Sequence, residues 1–314
     1  MMQWYTFEPA DTLLVKGAEP MEMGADHLSS HLFPPPPGTI AGALRTAVLM
    51  QNGISLADYL SGKKIPQEIS SAIGEAGKPA PFDIMGPLFR VDGRFFLPAP
   101  YTWFAAKAGL KESPGRKIDI VKAAPIESPL IRGKQGPLLW AKGKSGEMRS
   151  IGGYWISMEE LFSVDLRKRV YRPESFFTSE PRTGIALTRG RRVREGHLYT
   201  FTHVRLKAGV NLAFAVSAPQ PLASSGVLRL GAEKRFGRYR EIQPPLLSGG
   251  SSGTFLSLSM EPGTDAVNGA VMATGKIRYI GGWDLKKGFH KPMRGHFPAG
   301  SVFVRQLKSH WIEL

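Results

Sequence analysis

The chain has 314 residues, with 41 Lys and Arg against 26 Asp and Glu, a formal net charge of +15. Such a surplus favours a polyanionic partner, because each neutralised phosphate releases a counterion; membrane surfaces and acidic proteins are the other candidates. Cysteine is absent, which excludes disulfides, thiolate catalysis and Cys-ligated zinc and suits a cytoplasmic location, and no 18-residue apolar run occurs to cross a membrane, AGALRTAVLM being broken by Arg45.

In chain order, MMQWYTFEPAD carries no apolar core of a secretory signal. Strand-like residues around a Pro-Ala-Asp turn predict two short strands, at about 2–8 and 12–16. Pro34 to Pro37 predict an extended polyproline segment. Thr39 is then a candidate N-cap for a helix whose buried face is Ile40, Ala43, Leu44, Ala47 and Val48, with Arg45 on the flank. Residues 53–82 read as a weakly helical insert. Residues 105–152 read as a basic insertion of hairpins with mobile tips, holding nine Lys and Arg besides Lys107 against four acidic residues. YWISMEELFSVDL predicts a strand and a short helix. Residues 180–218 predict a β-meander, with Lys207-Ala208-Gly209 as a hairpin turn into VNLAFAVS. A strand-helix-strand set spans 254–305. Glycine (36) and proline (25) make up about a fifth of the chain, against an average of roughly 12%. Many turns and short strands follow, so the expected class is α+β, with helices packed on one face of antiparallel sheets.

Three basic segments are candidates for function. In SGVLRLGAEKRFGRYR (225–240), Gly231 and Gly237 permit close backbone approach. Successive N–H groups there could form an anion nest. Arg229, Lys234, Arg235, Arg238 and Arg240 bring charge and bidentate forks, and Phe236 and Tyr239 offer stacking faces. Neither a Walker loop nor the dinucleotide fingerprint G-x-G-x-x-G is present. An RNA-backbone groove therefore gains on a nucleotide enzyme, and a basic hairpin without ligand stays open. RTGIALTRGRRVREG (182–196) places Arg182, Arg189, Arg191, Arg192 and Arg194 in one predicted hairpin with Glu195 its one acid, either a phosphate clamp or a solvated tip. GGWDLKKGFHKPMRGHFPAG (281–300) interleaves Trp283, Phe289 and Phe297 with Lys286, Lys287, Lys291 and Arg294, suited to stacking on a single strand or to closing a core. Catalytic signals are weak. No H-E-x-x-H occurs, and no metal, cofactor or catalytic constellation is expected. One option is His31, just ahead of the first helix, as general base in metal-free RNA cleavage.

FPPPPGTIAGALRTAV (33–48), RTGIALTRGRRVREGHLYTFTHVRL (182–206), GVLRLGAEKRFGR (226–238) and GGWDL…PAGSVFV (281–304), with WYTFEPADTL (4–13), together resemble the RAMP-superfamily subunit three of the Cmr complex, the type III-B CRISPR effector. The resemblance implies two ferredoxin-like (RRM-like) RAMP modules with inserted hairpins and loops, one at about 1–180 and one at about 181–314. It implies a non-catalytic RNA-binding subunit that holds the 5′ repeat-derived tag of the crRNA. Its implied partners are the large polymerase-like subunit and the backbone RAMP subunits, with target RNA met only indirectly. Matched onto this chain, the superfamily's glycine-rich segment is Gly226 to Arg238, and the implied RNA contacts are Arg45, Arg182, Arg189, Arg191, Arg192, Arg229, Gly231, Lys234, Arg235, Phe236, Gly237, Arg238 and Trp283. Related repeat-processing endoribonucleases use a His near the first helix, which is the alternative that His31 represents.

Overall fold

A computed structural model describes residues 2–17, 28–29, 32–126, 138–142, 146–247 and 249–314. The chain forms two compact units, each assembled from three stretches of sequence. The first comprises 1–87, 176–244 and 279–293, and the second 88–175, 245–278 and 294–314. Both are rich in short strands with few, mostly short, helices, the α+β class that the composition predicts.

In the first unit the elements are β1 (Gln3–Pro9), α1 (Pro37–Gln51), α2 (Leu56–Leu60), α3 (Gln67–Ile73), β2 (Phe177–Leu187), β3 (Val193–Leu206), β4 (Val210–Val216), β5 (Ser225–Arg229), β6 (Phe236–Ile242), β7 (Trp283–Asp284) and β8 (Phe289–His290). β4, β1, β6 and β5 lie side by side in that order, all antiparallel. Alternation along β1 and β6 sends Tyr5, Phe7 and Tyr239 into the core, where the Tyr5 ring meets Phe214 and Tyr239 at centroid distances of 5.7 and 5.8 Å. α1 packs beside β5 and buries Ile40, Ala43, Leu44, Ala47, Val48 and Leu49, the face expected from its 3.6-residue period. Gln51 at its end donates to the Tyr239 hydroxyl at 2.7 Å. The helix starts at Pro37, ahead of the expected cap Thr39, because the φ of proline is already helical and its missing N–H costs nothing in a first turn. The weakly helical insert is α2 and α3, which close over Val48 and Leu49 through Tyr59, Ile69 and Ile73.

Two other expectations are corrected. Residues 12–16 form no strand; Leu13 makes a single antiparallel bridge to Val204. The reason is competition for backbone groups. Leu13 exchanges both bonds with Val204 on β3, while the Leu14 carbonyl accepts the Ala232 N–H at 2.7 Å. The Val15 carbonyl accepts the Leu32 N–H at 3.0 Å, so the segment is stitched to three neighbours rather than extending one ladder. Nor does Lys207-Ala208-Gly209 close a hairpin: β3 pairs with β2 and with Leu28–Ser29, whereas β4 belongs to the β1 sheet. The turn carries the chain between sheets, with Gly209 at φ +75°.

In the second unit, Val170–Tyr171, Trp155–Ser157, Arg94–Pro98 and the Leu88–Val91 part of Ile84–Val91 pair in sequence across the sheet. Phe89 packs on Trp155 and Phe96 on Tyr171, with ring centroids 4.5 and 5.0 Å apart. The short helix Met158–Phe162 follows its strand as predicted and is capped by Ser157. A second core gathers Val267, Ala270, Phe297, Phe303 and Trp311. In the basic insertion, Trp103–Ala106 pairs with Val121–Lys122 and Met148–Ser150, and Ala124–Ile126 pairs with Leu138–Trp140. Residues 127–137 and 143–145 of its expected tips lie outside the described residues.

Candidate nucleic-acid interface

The glycine-rich segment is the β5–β6 hairpin. Its loop closes through Leu230 N–H to the Arg235 carbonyl at 2.9 Å and Arg235 N–H to the Ala232 carbonyl at 3.2 Å. Gly231 sits at φ +89°, and a Cβ there would lie 2.4 Å from the Leu14 carbonyl oxygen. A Cβ at Gly237 would lie 2.3 Å from the Glu8 carbonyl oxygen and 2.6 Å from Cζ of Phe7. Both glycines therefore serve close approach of the chain to itself. The N–H groups of Leu230, Ala232 and Arg235 are likewise spent internally.

Arginines around this loop divide into two sets. Asp11, at the end of the β1 turn, lies 3.0 Å from Arg235, 2.9 Å from Arg205 and 3.8 Å from Arg182. Glu180 also pairs with Arg182, at 3.2 Å, and with Arg205. Glu233 reaches Arg235 at 3.2 Å and the buried His203 ring at 3.6 Å, and His203 bonds the Thr12 hydroxyl at 3.1 Å. Three carboxylates thus balance three guanidiniums and tie the loop, the β1 turn and the β2–β3 hairpin together. Burial opposes ionisation of Asp11, but the Arg205 hydrogen bond, the Thr12 N–H and the charges of Arg205 and Arg182 hold its carboxyl below the usual range. The Arg205 hydrogen bond does the same for Glu180. Burial, reinforced by Arg182 and Arg235, pushes the His203 imidazole down, so it stays neutral near pH 7.

The second set is open. Strand register pairs Arg229 with Phe236, Val227 with Arg238 and Ser225 with Arg240, while the intervening Leu228, Gly237 and Tyr239 face the core. Period-2 alternation thus puts Arg229, Arg238, Arg240, Phe236 and Val227 on one exposed face. Phe236 is 53% exposed. Among the described residues these three arginines form no ion pair, although Glu8 stands opposite Arg238 across the ladder. Lys234 is exposed at the loop tip, at φ +54°.

The remaining candidates separate. Arg189, Arg191 and Arg192 occupy the exposed turn of the β2–β3 hairpin, closed by Thr188 N–H to the Arg192 carbonyl at 2.9 Å, with Arg191 at φ +56°. Beside them Ile185, Leu187 and Val193 are also exposed. Arg45 points inward: its guanidinium donates to the Lys78 carbonyl at 3.0 Å, to the Glu75 carbonyl and to the Tyr59 hydroxyl, pinning the α2–α3 insert to α1. Trp283 lies on its own hairpin, β7–β8, half exposed and edge-on to His290. His31 lies outside the described residues. A polar recess of about 240 Å3 lined by Glu8, Asp11, Arg205, Lys207 and Asn211 is below the roughly 300–1,000 Å3 of small-molecule clefts. Among the described residues no cluster of three or more His, Asp or Glu is placed to hold a metal ion, and no helix is long and apolar enough to cross a membrane.

Alternation along β6 leaves Arg240 on the open face as expected but buries Tyr239, the second expected stacking ring, in the core. Sequence reasoning missed Asp11, Glu180, Arg205 and His203 as partners of the loop; they lie up to 224 residues from Arg235 and share no local motif with it.

The family model described as CRISPR-associated protein (Cas_Cmr3) matches residues 5–259. Of the solved structures, a chain of "Cryo-EM structure of the Type III-B Cmr-beta bound to cognate target RNA and AMPPnP, state 1" is similar with a TM-score of 0.56 and 16% identity, over 96% of this chain and 85% of that one. A chain of "Cryo-EM structure of the Type III-B Cmr-beta bound to cognate target RNA" is similar with a TM-score of 0.54 and 17% identity, over 96% and 86%. No curated protein matches. At such identity the structural likeness speaks for the fold, and the family match over most of the sequence speaks for descent. The chain belongs to the Cas_Cmr3 family of CRISPR-associated proteins, the Cmr3-type subunit of type III CRISPR effectors.

Proposed function

We propose that the chain is a non-catalytic RNA-binding subunit of a cytoplasmic type III-B effector, that it holds the 5′ repeat-derived tag of the crRNA, and that it docks on the large polymerase-like subunit and a backbone subunit. In this reading its two units are ferredoxin-like RAMP modules elaborated by hairpins, and target RNA is met only indirectly. The observation that carries the proposal is the open face of β5 and β6, where, among the described residues, Arg229, Arg238 and Arg240 form no ion pair around exposed Phe236. Guanidinium forks fit phosphate oxygens, and an exposed aromatic ring stacks on an unpaired base. The arginines at the β2–β3 tip extend the same chemistry to a second point on the strand. Arg235 and Arg182 act differently, as internal struts that keep the loop and hairpin in place.

The test is fluorescence anisotropy with a labelled tag RNA at several salt concentrations, using the chain assembled with its effector subunits. Arg238→Ala should weaken binding and reduce the log–log salt slope by about 0.7, the value for one phosphate contact on a single strand. An unchanged slope in Arg238→Ala and Arg240→Ala would overturn the site. Cleavage of repeat RNA by the purified chain in EDTA would overturn the non-catalytic reading.

A further inference from the structure

One surface feature is not absorbed by RNA holding. Tyr279, Trp283, Leu285, Phe289 and Met293 are all at least half exposed within fifteen residues, on and beside the β7–β8 hairpin. Single exposed apolar residues are ordinary, but a local concentration of aromatic, leucine and methionine side chains marks an interaction site. This hairpin is also preformed. The Asp284 carbonyl accepts the Gly288 N–H at 2.8 Å, and the Asp284 carboxylate accepts the N–H groups of Lys286 and Lys287 at 2.9 and 3.2 Å. Lys291 N–H closes the base on the Gly282 carbonyl at 2.8 Å, and Trp283 packs edge-on against His290. Holding the anchor residues in place beforehand lowers the entropy lost on docking.

We propose that β7–β8 is a docking anchor that enters an apolar groove of a neighbouring protein subunit, with Trp283 on one face of the ribbon meeting one wall and Phe289 on the other face meeting the opposite wall, a groove rimmed by carboxylates. The proposal rests on the reading of the chain as a subunit of a multiprotein effector. Charge complementarity chooses the rim: Lys287 and Lys291 are exposed in the same segment as the apolar residues, Lys286 lies against Gly77, and the one acid of the segment, Asp284, is turned onto backbone N–H groups. Side-chain chemistry favours a protein over RNA. Leu285 and Met293 have no ring to stack on a base, and the cations are lysines, which lack the bidentate fork of the arginines on the open sheet face.

The test places the photoreactive residue p-benzoylphenylalanine at Phe289 in the full chain, assembled with its guide RNA and the other effector subunits. The expected result is an adduct to a protein subunit. Adding Lys287→Glu and Lys291→Glu should lower its yield about tenfold at low salt, with the difference shrinking at high salt as rim charges are screened. Release of the chain from the assembly, with its thermal midpoint unchanged, counts as the same result. An adduct to RNA, no adduct, or a yield indifferent to charge reversal overturns the proposal. The salt slope of tag-RNA binding is read in the same preparation. It should stay at the wild-type value in the hairpin variants, so failure of this inference and failure of the RNA-holding reading are separately visible.

Discussion

Two sets of arginines meet around the β5–β6 hairpin and do opposite things. Arg235, Arg205 and Arg182 are bound by Asp11, Glu180 and Glu233. Arg229, Arg238 and Arg240 meet solvent on the open face of the sheet. A guanidinium paired with a carboxylate has already spent the geometry that phosphate recognition needs; an unpaired one keeps it. The charge count alone does not say where a polyanion sits. The uncompensated part of it does.

The comparison breaks most completely if the sheet that carries both sets is distorted. Gly237→Ala forces a methyl group against the Glu8 carbonyl and the Phe7 ring, inside the β1–β6 pairing. Overpacking of this kind costs roughly 3 kcal/mol, and a fall in thermal midpoint of several degrees should accompany the loss of RNA binding. Next in size, Arg229→Ala, Arg238→Ala and Arg240→Ala together should lower tag-RNA affinity about thirtyfold at physiological salt while the melting temperature stays put. Arg235→Ala should show the inverse pattern: a loss of about 1 kcal/mol of stability, read as a midpoint roughly 2–4 °C lower, with the salt slope kept.

A smaller effect is expected from pH. The His203 imidazole is harder to protonate in the folded chain than in the unfolded one, chiefly through burial. The unfolded state therefore takes up the proton first, and stability present above the ordinary imidazole range is lost as pH falls below it. Asp11 and Glu180, held low by arginine, lose their contribution in the same direction but further down, as pH falls from the ordinary carboxylate range through their folded values. Melting curves between pH 7.5 and 5 should thus decline toward acid, and His203→Gln should flatten the upper part of that decline. A flat profile in the wild type would remove His203 from the network.

Much of the architecture is legible from local pattern. The buried face of α1 follows from the spacing of Ile40, Ala43, Leu44, Ala47 and Val48, and the open arginines follow from alternation in β6. What local pattern does not reach is long-range pairing. Residues 12–16 have strand composition, yet their backbone bonds are divided among Val204, Ala232 and Leu32. Lys207-Ala208-Gly209 has hairpin composition, yet β4 finds a better-buried place next to β1. Arg45 reads as a flanking cation on a helix, and only the folded insert supplies the carbonyls that occupy it. Likewise the glycines of the hallmark loop are visible as glycines, but that they make room for Leu14 and Glu8 depends on which segments the fold brings against them.

The most direct test of the central claim is the salt dependence of tag-RNA binding in two variants measured side by side, the Arg229/Arg238/Arg240 triple alanine and Arg235→Ala. A slope reduced by about 2 in the first, at roughly 0.7 per lost phosphate contact, and unchanged in the second is the predicted result. Equal slopes in both variants and the wild type, or a reduction confined to Arg235→Ala, would contradict it.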